Sequence, residues 1–390
     1  MPGTLTRLNR VRSSAGSLRL ASRNGRALGP LRGRPVALAG SDASPHVTGF
    51  PNFTTALHDL LLARAGRVSR PLQAPSKDVP ELVVAVLPGP GAAGAAAELA
   101  DRHGVPLLVV LQGETLPLTE DAGTSGARLA ARLETRALRR ADRWAVTSES
   151  ARRRLLRLGI DETRIDRLPY WAAPVRTGQQ VEADRATARR ALGLPSGFLV
   201  VCPVGADTSG LLAVITAAHR FAARRSDVQF VLVGRGPRLR ALAASAADAL
   251  NVTIAELDDH EYPAALFAAD LLLLTETADQ PDGATAGRLA AGMAAGRPTI
   301  AALAEAGRSV AAAAQAKGAL RVIPADRPEQ LAATIDELRN DPAGLNEMAT
   351  GARNFTRAQL SPETATATFE QIVTRTLSRP AGSSWWGWTR

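Results

Sequence analysis

The chain has 390 residues, 45% of them hydrophobic, enough to bury the cores of two domains. It carries a formal charge of +10, and every basic residue except Lys77 and Lys317 is arginine. No apolar run reaches the roughly 18 to 20 residues that cross a bilayer.

Residues 1–34 hold eight arginines and no acidic residue, which first appears at Asp42. With turn-forming Gly, Ser and Asn and no apolar core of the kind a secretory signal needs, this stretch reads as a basic, flexible arm. From residue 35 the pattern becomes regular. PVALAG is a short buried strand, FTTALHDLLLARAG an amphipathic helix, and ELVVAVLPG a second strand. A helix through AAELADRHG, the strand VPLLVVLQG, a helix RLAARLETRALRRA, the strand DRWAVTS and the helix ESARRRLLRLG follow. Such alternation predicts parallel strands joined by helical crossovers, in a first domain over 35–172.

Charge, Pro and Gly then dominate AAPVRTGQQVEADRATARRALGLPSG before hydrophobicity returns at FLVVCPVG. A second series runs through LLAVITAAHRFAAR, VQFVLVG, LRALAASAADAL, NVTI, ADLLLLT, RLAAGMAAG, PTIAAL and LRVIP, predicting a second α/β domain over 173–360. SPETATATFEQIVTRTL, 361–377, is a helix expected to pack back on the first domain. The tail 378–390 holds three of the five tryptophans, a composition that suits a membrane interface or a partner groove. Ligands of open parallel sheets bind beyond the strand C-termini, so the expected site is a cleft between two facing doubly wound domains.

Cys202 is the only cysteine and lies within an apolar strand, which excludes an internal disulfide and argues against a catalytic thiol. The histidines at 46, 58, 103, 219 and 260 show no metal-ligand spacing, and no metal is expected. Positive charge attracts polyanions in general, but no nucleic-acid-binding module or aromatic-rich basic patch accompanies it. Nucleic acid is therefore not an expected partner, whereas a phosphorylated substrate or an anionic membrane surface is. A cytoplasmic location, peripheral on the inner face of the plasma membrane, fits this composition.

Several ordered blocks resemble the family-4 retaining glycosyltransferases of the GT-B fold, in particular the exopolysaccharide (colanic-acid-type) sugar transferases. SPHVTGFPNFTTALHDLLLARAGRV is similar to the first loop and helix of that family. HGVPLLVVLQGE is similar to its strand ending in Q-D or H-D, and ADRWAVTSES to its A-D-x-V-x-x-x-S segment. FVLVGRGP, LFAADLLLL and GMAAGRP complete the series, so that the resemblance spans roughly residues 35 to 377. It implies transfer of a hexose from a nucleotide sugar to an acceptor hydroxyl with retention of configuration. The diphosphate would be held by backbone N–H groups, helix N-termini and basic side chains without metal or cofactor.

The same resemblance places the site residues. Gln112 falls where the family has His or Gln near the transferred sugar. His46, Gly49 and Phe50 fall in the acceptor loop, where Pro51 replaces a second glycine. Gly205 and Ser209 follow the first strand of the second domain, at a loop where Ala206 and Ser209 stand in place of an expected Arg and Lys. Gly234, Arg235 and Gly236 form the VGRGP turn, and Asp282 and Gly283 a turn before the AGMAAGRP helix. Arg288, read as lying at the start of that helix, would neutralise a donor phosphate. The two glutamates of the family signature align with Gly283 and Ala291.

The expected function is transfer of a sugar to a surface-polysaccharide or lipid-linked acceptor. Loss of both signature carboxylates supports an alternative: a catalytically degenerate GT-B protein that binds or scaffolds an active transferase.

Overall fold

The computed structural model describes residues 29–39, 53–65, 67–69, 79–87, 92–111, 135, 139–169, 178–204, 210–234, 237–246, 248–257, 261–275, 282–304, 311 and 314–378. They fall into two compact units. Of the described residues, one unit contains 29–39, those between 53 and 169, and 365–378, and the other those between 178 and 364.

The first unit is built on a parallel six-stranded sheet of β1 (Val36–Ala39), β2 (Val68–Ser69), β3 (Leu82–Leu87), β4 (Leu107–Leu111), β5 (Arg143–Val146) and β6 (Ile165–Arg167), in the order β2-β1-β3-β4-β5-β6. The strands β1, β3 and β4 are buried at every position. A continuous Val/Leu/Ala run of that kind is what a sheet covered on both faces requires. The helices α1 (Phe53–Ala65), α2 (Ala92–His103) and α3 (Glu149–Arg157) supply the cover. Ser148 caps α3, its hydroxyl accepting from the Ala151 N–H at 3.1 Å, with Glu149 in the first turn and arginines in the last, both matched to the helix dipole. Trp144 is fully buried, and the Arg164 guanidinium lies 4.6 Å from its ring centroid.

The second sheet comprises β7 (Phe198–Pro203), β8 (Val228–Gly234), β9 (Val252–Glu256), β10 (Leu271–Thr275), β11 (Thr299–Leu303) and β12 (Arg321–Pro324). Its order, β9-β8-β7-β10-β11-β12, is that of a doubly wound dinucleotide-type sheet. Alternation along the strands divides the core between two faces. Val200, Cys202, Phe230 and Leu232 join one apolar cluster, while Leu199, Val201, Val231 and Val233 join the other.

Around this sheet lie α4 (Gly178–Ala191), α5 (Leu211–Ala223), α6 (Pro237–Ser245), α7 (Glu261–Ala268), α8 (Asp282–Ala294), α9 (Pro328–Arg339) and α10 (Pro342–Gln359). The charged segment after residue 172 is thus largely helix: its heavy arginine content conceals the face that buries Ala188. Gly292 lets α8 lie close on the sheet, since a Cβ there would stand 3.2 Å from Leu272 Cδ1 and 3.4 Å from Thr299 Oγ1.

The terminal helix α11 (Pro362–Leu377) starts in the second unit and enters the first at Ala365. There Arg375 donates to Asp166 at 2.7 Å, and Glu370 pairs with Arg64 at 2.8 Å.

Candidate functional site

A doubly wound sheet opens where its strand order reverses, here between β7 and β10. These two strands are in register at only two positions, Leu271 with Val200 and Leu272 with Val201, whereas β7 and β8 match at six. Beyond Val201 no further register pair joins the two strands, which run on to Pro203 and Thr275.

Polar groups converge on this point from three elements. Arg288, on α8, is only 7% exposed, and its Nη2 donates to the Thr275 carbonyl at 3.5 Å. The positive charge of Arg288 acts on both Cys202 and Tyr262. Burial pushes the Cys202 thiol up to about 12, with Arg288 and Thr275 pulling weakly the other way. Burial likewise raises the Tyr262 phenol. Both groups are neutral near pH 7, so Arg288 carries the charge of this cluster and Cys202 is not an activated nucleophile.

Arg288 is the seventh residue of α8, which starts at Asp282. It does not lie at the helix N-terminus, and it is not an exposed helix arginine: α8 turns this position onto the sheet. Asp282 and Gly283, read from sequence as a turn before the helix, form its first two residues. Ala291 is packed in the apolar cluster with Leu272 and Ala295, so the second signature position faces the core.

Gly234 ends β8 and is buried. A Cβ there would lie 3.1 Å from the Val204 carbonyl oxygen and 3.2 Å from Val204 Cβ, so glycine permits the close approach of Val204 to the end of β8. His46, Gly49, Phe50, Gln112, Gly205, Ser209, Arg235 and Gly236 lie outside the described residues. Gln112 directly follows β4, and Gly205 and Ser209 lie between β7 and α5 in the chain.

The structure adds a feature at Thr275. A small crevice of about 10 Å³ at the C-terminal ends of β10, β11 and β12 is lined by Gly210, Thr275, Ala302, Pro324, Asp326 and Arg327. Sequence reasoning missed Thr275, Asp326 and Arg327. The available signals were a polar residue closing an LLLL run and a charged pair before Pro328. Among the described residues, no three His, Cys, Asp or Glu side chains cluster as a metal site would require, and no helix is long and apolar enough to cross a membrane.

Residues 13–171 match the model of the glycosyl transferase 4-like domain, and residues 197–341 that of the glycosyl transferases group 1. Each half of the chain thus carries a glycosyl transferase domain. The fold of this glycosyl transferase chain is GT-B, as three solved structures illustrate. Sucrose-phosphate synthase from Thermosynechococcus elongatus is 17% identical, with a TM-score of 0.62, over 88% of this chain and 98% of that one. Anabaena HepE in complex with UDP and glucose is 17% identical, with a TM-score of 0.61, over 90% and 100%. WaaG, a glycosyltransferase involved in lipopolysaccharide biosynthesis, is 18% identical, with a TM-score of 0.61, over 87% and 99%. A search of curated proteins returns no match.

Proposed function

We propose that this protein transfers a hexose from a nucleotide-sugar donor to a surface-polysaccharide or lipid-linked acceptor, with retention and without a metal, working peripherally on the inner face of the plasma membrane. The observation that carries the reading is the reversal of strand order between β7 and β10 in a group 1 glycosyl transferase domain, with the buried cation of Arg288 against the Thr275 carbonyl at the end of β10. Solved GT-B neighbours with UDP or UDP-glucose bound support a nucleotide sugar as donor.

In this reading the donor diphosphate lies over the C-terminal edge of the second sheet. Backbone N–H groups of the loop after β7 and the field of Arg288 stabilise the charge that grows as the C1–oxygen bond breaks and the electron pair leaves with the diphosphate. Retention requires the acceptor oxygen to bond C1 on the face the diphosphate leaves, and the acceptor hydroxyl proton passes to the departing phosphate oxygen. With Gly283 and Ala291 at the signature positions, no protein carboxylate is invoked there. Gln112 orients hydroxyls and takes no proton, since a carboxamide is not a base near neutral pH. The acceptor loop with His46, Gly49 and Phe50 would serve the other substrate.

Calorimetric titration of the full chain with UDP-, GDP- and dTDP-sugars tests the reading. Saturable binding to one of them, weakened in Arg288→Met and partly regained in Arg288→Lys, supports it. A folded protein that binds none of them sinks it.

A further inference from the structure

A cleft of about 480 Å³, within the size range of small-ligand sites, opens on the second domain where β7 begins. Gly197 and Phe198 line it between two ionic groups, because the strand order puts β7 between β10 and β8. On the β10 side Asp270 receives Arg185 and Arg189 of α4, each at 2.6 Å. On the β8 side Asp227 pairs with Arg339, the last residue of α9. The charges do not balance: among the described residues that line the cleft, Arg185, Arg189 and Arg339 face only Asp227 and Asp270. Arg189 is enough to fix Asp270, since its Nη2 holds the carboxylate while Nε donates to the Ala268 carbonyl at 2.8 Å and Nη1 to the Gly197 carbonyl at 3.2 Å. Arg185 brings a second cation to a carboxylate already neutralised. In a half-buried cleft, with a chain charge of +10 around it, that surplus attracts an anion.

We propose that this cleft is an accessory binding site for a small phosphorylated molecule, whose phosphate is held by Arg185 from α4 and Arg339 from α9 across the start of β7. Guanidinium groups arriving from two helices suit the tetrahedral array of phosphate oxygens, each fork meeting a different pair. A phosphate ion fills only part of the volume, so the cleft has room for the body attached to it. Asp227 can accept from hydroxyls of that body, a carboxylate being an acceptor only. The site lies at the opposite end of the six-residue β7 from the strand C-termini, a separation of about 20 Å. A ligand here takes no part in sugar transfer, and the inference does not depend on the donor reading above.

The test is calorimetric titration of the full chain with glucose 6-phosphate, inorganic phosphate and succinate at one ionic strength, for wild type, Arg185→Gln, Arg339→Gln and Arg102→Gln. Glucose 6-phosphate should bind saturably and more tightly than inorganic phosphate. Arg185→Gln and Arg339→Gln should each weaken it by about tenfold. Arg102→Gln, which breaks an exposed pair with Glu98 in the other unit, should leave it within about twofold of wild type. Thermal melting shows which variants fold; should Arg185→Gln fail to, Arg339→Gln decides alone, because its Asp227 partner is an exposed side chain. No saturable binding of either phosphate, or equal binding by all four proteins, would mean that the cleft holds only internal ion pairs and would overturn the inference. Succinate binding as tightly as glucose 6-phosphate would overturn the assignment to phosphate, and inorganic phosphate binding as tightly would overturn the assignment to a phosphorylated molecule in favour of the free ion.

Discussion

Asp270 and Leu199 exchange two hydrogen bonds: the Leu199 N–H donates to the Asp270 carboxylate at 2.7 Å, and the Asp270 N–H donates to the Leu199 carbonyl at 2.9 Å. Asp142 and Leu107 do the same in the first sheet, at 2.9 and 2.8 Å. In each domain an Ala-Asp pair precedes a buried strand and closes the open N-terminal end of its neighbour. The two Asp residues differ in their further partners. Asp270 also receives Arg185 and Arg189, each at 2.6 Å, whereas Asp142 has Arg140 at 3.4 Å.

Asp270→Ala should therefore cost more than Asp142→Ala. Removing Asp270 leaves a strand N–H and two half-buried guanidinium groups without their acceptor, a loss of about 2 to 3 kcal/mol, against about 1 to 2 kcal/mol for Asp142. Urea denaturation followed by circular dichroism reads the difference. Equal losses would show that the arginines of α4 contribute nothing to the bridge.

Arg288→Ala should destabilise the second domain by about 2 to 4 kcal/mol, through a cavity beneath α8 and loss of the Arg288 bond to the Thr275 carbonyl. Arg288→Met fills most of that volume and should recover at least half of the loss. Limited proteolysis and melting would check this, and no change in either variant would place the side chain in solvent.

The pH dependence of stability has a definite sign at Cys202. Its folded-state pKa is raised from the ordinary thiol value near 9 to about 12. Between those values the unfolded chain has lost a proton that the folded chain retains, so the stabilisation is complete below pH 9 and lost as pH rises toward 12. The Tyr262 phenol, also raised, acts in the same direction. Cys202→Ala should flatten this alkaline fall relative to wild type, as read from urea midpoints at pH 8 and pH 10.5. The native thiol should also resist alkylation at pH 8 and react only in denaturant; rapid labelling of the folded protein would contradict its burial.

Gly197 and Arg225 occupy left-handed positions with opposite consequences. Gly197 has φ +103°, and a Cβ there would lie 2.2 Å from the Asp227 carbonyl oxygen, so Gly197→Ala should cost about 3 kcal/mol or more. Arg225, at φ +52°, is a non-glycine residue in a conformation that favours glycine, and Arg225→Gly should be neutral or stabilise by up to about 1 kcal/mol. Melting temperatures of the two variants, expected to move apart, decide the point.

Much of the architecture was legible because buried parallel strands are written as short continuous apolar runs. VALA, LVVAVL, LLVVL, FLVVCP and LLLLT each became a strand with almost no adjustment. The two-residue β2 and the polar β6, IDR, were not read as strands, since edge strands bury little and so lack that signature. The helix α4 hid behind its arginines for a related reason: its apolar face is narrow, and Arg185 and Arg189 are recruited to Asp270, some 80 residues further along the chain.

The site divides in the same way. Sequence alone determined two α/β halves, the glycine that β8 needs at 234, an inert cysteine, and the absence of carboxylates at 283 and 291, because these are matters of residue type and short-range pattern. Only the tertiary structure decided that Arg288 is buried against the Thr275 carbonyl, and that Thr275, Asp326 and Arg327 line one crevice at the ends of β10 and β12. Those relations depend on which strands become neighbours and where their ladder ends, and strand order arises from long-range packing that no local pattern encodes.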